Sequence, residues 1–142
     1  MALVACGTNT NAQTQKWYNP TDGSNSDVEQ TLSGMAVRDL LLVSDGNEAA
    51  VLATFVNTGD EADEVVEVLV EGRPARIDGT LEAAPSSVVR LGEPADTSAI
   101  ARGVDVEPGG LAEVEIRFAS APAVTLDAIV RAPVGEFEDA AP

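Results

Sequence analysis

Cys6 is the residue of this chain whose chemistry is easiest to specify, because it is the only cysteine among 142 residues. It is preceded by Leu3-Val4-Ala5 and followed by Gly7. A branched apolar residue, two smaller residues and a cysteine form a lipobox, the motif whose thiol receives a diacylglycerol before the chain is cleaved ahead of it. We therefore expect Cys6 to be lipidated and residues 1–5 to be the remnant of a lipoprotein signal peptide.

The short stretch before Cys6 leaves an alternative open, namely an ordinary N-terminal cysteine in a cytosolic protein. A secretory signal carries a basic region and an apolar segment of about 7–15 residues, longer than the stretch found here. Residues 8–15 favour the lipobox, since they are polar or small and uncharged and cannot bury enough surface to offset their conformational entropy. We predict a lipid-attachment site and flexible polar tether over residues 6–30, on the extracytoplasmic face of the cell membrane.

The charge of the chain excludes one class of partner and defines how a membrane can hold it. There are 24 acidic and 8 basic residues and no histidine, for a net charge of −16. Nucleic acid is excluded, because phosphate binding needs clustered lysine and arginine. An anionic bilayer would also repel the domain, so the two acyl chains of a lipid on Cys6 would have to provide the attachment.

The composition also argues against catalysis. Without histidine the chain cannot form a Ser/His/Asp or Cys/His catalytic set. Zinc sites with nitrogen and sulfur ligands are excluded for the same reason. Two carboxylates can hydrolyse glycosides, but among 24 acidic residues some pair will always have a suitable spacing. We expect no enzyme activity, no cofactor and no identifiable small-molecule substrate.

Trp17 and Tyr18, the only tryptophan and the only tyrosine, are neighbours in the tether. Three roles fit this pair. The aromatic rings can pack the tether onto the surface of the folded domain, stack on a ligand or docking partner, or lie at the membrane interface. The first role is the simplest, and the second makes the pair a candidate partner-binding site.

Two acidic clusters offer oxygen ligands or a charged surface. In the first, Asp22, Asp27 and Glu29 are hard donors of the kind that Ca²⁺ prefers, but their spacing departs from the EF-hand loop and a solvated turn is the simpler interpretation. The second cluster, a candidate partner-binding site, consists of Asp60, Glu61, Asp63 and Glu64, and the acidic run continues to Glu67 and Glu71. Such runs usually form a solvated face, although a basic protein or a glycan could bind this one.

From about residue 31 the chain becomes a succession of short β-like runs. Apolar and charged residues alternate over 112–118 and again over 124–131, as in half-buried strands, whereas 51–56 is apolar on both faces and predicts a central strand. In 35–43 the pair Arg38-Asp39 interrupts the alternation and indicates a bulge or an edge position. A further inward-facing row is expected to consist of Val66, Val68 and Val70.

These runs are separated by turns rich in glycine, proline, asparagine and aspartate, and no long segment shows a 3.6-residue period. Several short strands at this spacing predict an all-β fold, a Greek-key β-sandwich of about eight strands with immunoglobulin-like or cupredoxin-like architecture. We place this domain at residues 31–135 and an acidic C-terminal tail at 136–142.

Three passages resemble a known family. They are the lipobox with its Asn/Gln/Thr tether; Ala50–Asp60, a strand ending in an asparagine and a turn; and the segments Val106–Gly110, Val114–Phe118 and Val130–Val134. Together they resemble actinobacterial extracytoplasmic lipoproteins related to the periplasmic PCuAC-type copper chaperones. The resemblance covers about half of the chain and implies a cupredoxin-like or immunoglobulin-like β-sandwich.

The copper chemistry of that family does not transfer residue by residue. The resemblance implies Cu(I) held by histidines and methionines, ligands suited to that ion. This chain has no histidine, and its methionines are Met1, lost if the lipobox is processed, and Met35, which fits the core. We therefore expect a non-catalytic binding or assembly module of the cell envelope with a protein partner. The alternative is a metal-handling lipoprotein, either a divergent copper-chaperone relative or a weak calcium binder.

Overall fold

The computed structural model describes residues 34–142, which fold into ten strands and one short 3₁₀ helix. Among these residues no helix is long and apolar enough to cross a membrane. The 3₁₀ helix is Gly135–Ala140. The strands, in chain order, are β1 (Met35–Ser44), β2 (Glu48–Asn57), β3 (Asp63–Val70), β4 (Arg73–Pro74), β5 (Arg76–Asp78), β6 (Glu82–Ala83), β7 (Ser87–Leu91), β8 (Ser98–Arg102), β9 (Leu111–Phe118) and β10 (Val124–Arg131).

The strands form one sheet in the order β4-β3-β9-β10-β1-β2-β8-β5, with β7 paired to β2 and β6 paired to β3. Every pairing is antiparallel except that of β1 with β10, which is parallel. The sheet curls into a near-barrel, and the predicted all-β sandwich is confirmed. The structure has two strands more than expected, because β4 and β6 are two-residue pairings too short to carry an alternating pattern.

The core lies inside this curled sheet. In β9 the residues Ala112, Val114, Ile116 and Phe118 are buried, as the alternation predicts. Phe118 meets Phe55 of β2 edge to face, with ring centroids 6.1 Å apart and planes at 84°. This arrangement places the positive edge of one ring against the negative face of the other and adds to the gain from burial.

The interruption predicted in β1 is a bulge. The register with β2 shifts between Arg38 and Leu41, and Asp39 adopts a φ of +54°. Because side chains alternate with a period of two, the extra residue changes which positions face inward. Odd-numbered Met35 and Val37 enter the core before the bulge, whereas even-numbered Leu40 and Leu42 enter it afterwards.

A second bulge makes one expectation wrong. The row Val66, Val68 and Val70 does not form, because the β3–β9 register shifts between Val65 and Glu67. Val65 takes the inward position, and Val66 is 53% exposed. The residues after the shift, Val68 and Val70, are buried as expected.

The segment 136–142 is acidic, but it also packs on the sheet. Its 3₁₀ helix brings Phe137 and Ala140 against Leu41 and Val43 of β1 and Leu52 of β2. These five residues form a second apolar cluster on the outer face of the sheet, hereafter the outer cluster. As a result β1 is buried on both faces around Leu41–Val43.

The β1–β2 turn is held by two side chains. The buried Ser44 hydroxyl donates to the carbonyl oxygen of Val106 at 2.7 Å and accepts from the N–H of Gly46 at 2.9 Å. The next residue, Asp45, accepts from the N–H groups of Glu48 (2.9 Å) and Asn47 (3.0 Å). These bonds favour the charged carboxylate and hold the pKa of Asp45 below its ordinary value.

Candidate functional site

Several residues singled out from the sequence precede residue 34 and lie outside the described part of the chain. The lipid-attachment site, the aromatic pair and the calcium alternative therefore stay predictions. The residues concerned are Cys6, Trp17, Tyr18, Asp22, Asp27 and Glu29.

The acidic run after β2 is split by the fold. Asp60 and Glu61 are exposed in the β2–β3 turn, and Glu64 is half-buried at the start of β3. Asp63 is buried, and its carboxylate accepts three backbone N–H groups. The oxygens of Asp63 therefore hold the fold together, whereas Asp60 and Glu61 are accessible to a partner.

Those three bonds reach the β9–β10 connection. Asp63 Oδ1 accepts from the N–H of Glu64 and of Ser120, both at 2.9 Å, and Oδ2 accepts from the N–H of Ala121 at 2.8 Å. Hydrogen bonds to an ionised acceptor are stronger than neutral ones. The carboxylate thus joins the first residue of β3 to the turn that follows β9.

Asn57, the last residue of β2, also joins separate backbone segments through its side chain. Its buried amide donates to the carbonyl oxygens of Glu61 (2.7 Å) and Ala83 (2.9 Å), and its Oδ1 accepts from the N–H of Gly59 (2.9 Å). The asparagine that ends the strand in the passage Ala50–Asp60 is therefore required by the turn. It also ties β6 to the end of β2.

A larger acidic surface arises where β3, β9 and β10 meet; the sequence indicated only its part at β3, Glu67 and Glu71. The strand register places Leu69 beside Glu115, Glu67 beside Arg117 and Glu113 beside Asp127. The alternating glutamates of β9 were visible in the sequence, but only the pairing brings the other strands' carboxylates beside them. We call the following residues the acidic face: Glu67, Glu71, Glu113, Glu115 and Asp127.

One arginine lies within the acidic face. Arg117 donates from Nε to Glu115 at 2.7 Å and from Nη1 to Glu67 at 2.6 Å. The bond to Glu115 and the charges of both glutamates raise the pKa of Arg117. Since this guanidinium is exposed, the pairs order the surface and add little to stability.

The opposite part of the outer face carries an apolar row. Four residues on neighbouring strands stand opposite one another, Leu111 on β9, Ile129 on β10, Leu41 on β1 and Leu52 on β2. Leu111 is 69% exposed, Ile129 and Leu52 are half-buried, and Leu41 lies in the outer cluster. No sequence signal marked this row, because its members come from four separate segments.

Two clefts flank Leu52 at the end of the row. One, of about 90 Å³, lies between the strand ends and the C-terminal residues Asp139–Ala141. The other, of about 160 Å³, lies between the bulge at Asp39, the strand β2 and the loop at Glu93-Pro94. Both are smaller than the 300–1,000 Å³ typical of sites for drug-sized ligands.

The donor set expected of a Cu(I) site is not found in this chain. Histidine is absent from the sequence, and Met35, the only methionine after Met1, is 0% exposed inside the core. Between residues 34 and 142 no three carboxylates, histidines or cysteines are close enough to hold a metal ion. Residues that could carry copper by thioether or imidazole coordination are thus not available at the surface of this domain.

Comparison with known proteins identifies the architecture. No family model matches the chain, and no curated protein matches it. Among solved structures, the copper-bound PCuAC domain from PmoF2 superposes with a TM-score of 0.64 at 21% sequence identity, and the apo PCuAC domain from PmoF1 with a TM-score of 0.64 at 25%. The chain has the PCuAC fold.

The superposition spans whole domains of those proteins. It covers 99% of the PmoF2 domain and 100% of the PmoF1 domain, and 78% of this chain in each case. The apo PmoF2 domain gives the same result with a TM-score of 0.59 at 20% identity, over 72% of this chain. These superpositions confirm the fold that the resemblance to PCuAC proteins implies. The low sequence identities make the relationship a distant one.

Proposed function

We propose that this chain is a lipid-anchored, non-catalytic module with the PCuAC fold that serves copper handling in the cell envelope by binding another protein. The observation that carries the proposal is the superposition on complete PCuAC domains, one of which was solved with copper bound. It favours a divergent copper-chaperone relative over an assembly module with no link to metal.

The side chains available as metal ligands indicate that this relative does not itself transport Cu(I). Soft thioether and imidazole ligands select that ion. The chain offers no histidine, and of its two methionines Met35 is enclosed in the core and Met1 would be removed with the proposed signal-peptide remnant. Carboxylates, which the chain has in abundance, suit hard cations instead. The retained PCuAC fold would then provide a surface for a partner that carries the metal, and the exposed Asp60 and Glu61 with the acidic face fit a basic partner.

A copper titration of the full chain tests this division of roles. We expect Cys6→Ser protein to bind Cu(I) with a Kd weaker than about 1 mM in competition with a colorimetric Cu(I) chelator, because Met35 is enclosed in the core and the thioether of Met1 is a single soft ligand. Unmodified Cys6 protein serves as the positive control, since its free thiol supplies one soft ligand. A micromolar site in the Cys6→Ser protein, for Cu(I) or for Ca²⁺, would contradict the proposal.

The anchor is tested by the intact mass of protein extracted from membranes. We expect residues 1–5 to be missing and the mass of the chain from Cys6 onward to be increased by a diacylglyceryl group. Two acyl chains give stable attachment, because each buried methylene contributes about 0.8 kcal/mol. Cys6→Ala should shift the protein out of the membrane fraction. Recovery of unmodified wild-type protein from the cell interior would rule out the anchored location.

A further inference from the structure

Strand β7 has one edge that no strand of the described chain covers. Between residues 34 and 142 it pairs with β2 alone, in the antiparallel register that places Phe55 opposite Val89. In such a pair, successive residues direct their backbone N–H and C=O groups alternately toward the partner strand and away from it. Half of the backbone groups of β7 therefore face away from β2.

Hydrogen bonds on both sides of the pair identify the residues that carry these outward groups. Thr58, directly after β2, donates its N–H to the carbonyl oxygen of Gly34, so even-numbered residues of β2 face β1 and odd-numbered residues face β7. Beyond β7, Thr97 Oγ1 donates to the carbonyl oxygen of Arg90 at 2.6 Å. Val88 and Arg90 thus point their backbone groups away from β2. Among residues 34–142 no partner is found for the N–H and C=O of Val88 or for the N–H of Arg90.

The side chains along this edge combine apolar surface with a positive charge. Val88 is 56% exposed and ends an apolar row on the outer face, beside Val56 of β2 and Ala36 of β1. Arg90 lies two residues along on the same face and is exposed. Although Glu93 lines the neighbouring cleft, Arg90 forms no ion pair with any residue of the described range. The edge therefore offers an aliphatic contact and a guanidinium two residues apart.

These features specify the kind of partner. A peptide that joins a sheet edge is held by main-chain hydrogen bonds, and its alternate side chains give specificity. Antiparallel pairing would place one peptide residue opposite Val88 and the residue two places earlier in the peptide opposite Arg90. We propose that β7 binds an extended segment of a partner protein in which an acidic residue stands two positions before an aliphatic one. The aliphatic side chain would extend the row at Val88, and the carboxylate would pair with Arg90.

A second copy of this chain is a less suitable occupant of the edge. Two antiparallel β7 strands related by a twofold axis at Val89 would place Val88 of one copy beside Arg90 of the other, so neither guanidinium would meet a carboxylate. Two chains of net charge −16 would also repel each other. The β7 edge is separate from the acidic face, which lies at β3, β9 and β10, and the inference depends on neither copper nor a lipid anchor.

A peptide titration followed by ¹H–¹⁵N NMR spectroscopy tests this assignment. The probe is a short acetylated peptide with one glutamate two places before one valine and only serine and threonine elsewhere. It is added to the ¹⁵N-labelled full chain under reducing conditions. We expect saturable shifts of the Val88 and Arg90 amide signals, with a Kd of about 1 mM or tighter, because both N–H groups donate to the peptide. A probe with lysine in place of the glutamate should bind about fivefold more weakly.

Two variants separate main-chain from side-chain recognition. Val88→Pro removes an outward N–H without removing a bond to β2, since proline is tolerated where the N–H of an edge strand faces solvent. It should abolish binding of both probes. Arg90→Glu should reverse the preference, so that the lysine probe binds more tightly than the glutamate probe. Because Arg90 is exposed, this variant tests the site even if Val88→Pro fails to fold.

The matched control for the charge reversal is Arg76→Glu. It makes the same change of charge at an exposed arginine of β5 and should keep the wild-type preference. Absence of saturable shifts at β7, shifts confined to other strands, or equal affinity of the wild type for both probes would overturn the proposal. Signals of β7 that move with chain concentration in the absence of peptide would assign the edge to a second copy and overturn it as well.

Discussion

Asp63→Ala is expected to lower the free energy of unfolding by about 3–5 kcal/mol, because one buried and two partly buried backbone N–H groups lose an ionised acceptor at once. The donors belong to Glu64, Ser120 and Ala121, so the loss affects both the start of β3 and the β9–β10 connection. The loss is a large fraction of the 5–15 kcal/mol typical of a domain.

Urea unfolding followed by far-ultraviolet circular dichroism measures this effect as a shift of the midpoint. Asp60→Ala is the matched control, since it removes the same charge from an exposed position three residues earlier. Asp63→Asn should fall between the control and Asp63→Ala, because the amide keeps one oxygen but turns an N–H₂ group toward a donor. Equal stability of Asp63→Ala and Asp60→Ala would show that the three bonds carry no net energy.

Asn57→Ala is expected to cost about 2–4 kcal/mol, since it leaves the carbonyl oxygens of Glu61 and Ala83 without their buried donor. The N–H of Gly59 loses its acceptor in the same variant. We expect the turn between β2 and β3 to open first, because its bonds to the carbonyl oxygen of Glu61 and to the N–H of Gly59 both come from this one amide.

Hydrogen exchange locates the effect of Asn57→Ala, and thermal unfolding gives its size. The backbone amides of residues 58–63 should lose protection more than those of β9. Asn47→Ala, an exposed asparagine in the β1–β2 turn, is the control and should leave both measurements near wild type. Wild-type stability of Asn57→Ala would mean that water or backbone rearrangement satisfies the two carbonyl groups.

The sequence predicts those parts of the fold that depend on the residue pattern of a single strand. The alternation of β9 and the break at Arg38-Asp39 are local and both appear in the structure. The register shift in β3 was missed because nothing in a run of valines and glutamates reveals which valine is looped out. Val65 and Val66 are chemically equal, and pairing with β9 decides between them.

The surface features depend on pairing even more strongly. The acidic run at 60–64 is contiguous and easily noticed, yet its member Asp63 is committed to the backbone. The acidic face and the apolar row combine residues from strands far apart in the sequence, so no linear motif marks them. The resemblance to PCuAC proteins did anticipate the fold, because its passages contain residues with structural duties such as Asn57.

The parallel pairing of β1 with β10 has a consequence for how the chain acquires its structure. One edge of β1, the first strand described, is paired with β10, the last strand, for example where Leu41 lies beside Ile129. Contacts between such distant segments carry a high cost of loop closure and slow folding. A chain that emerges from a ribosome or an export channel with its N-terminus first would hold β1 with one unpaired edge until β10 arrives. During that interval the edge is open to aggregation, and a chaperone that covers it would have its greatest effect there.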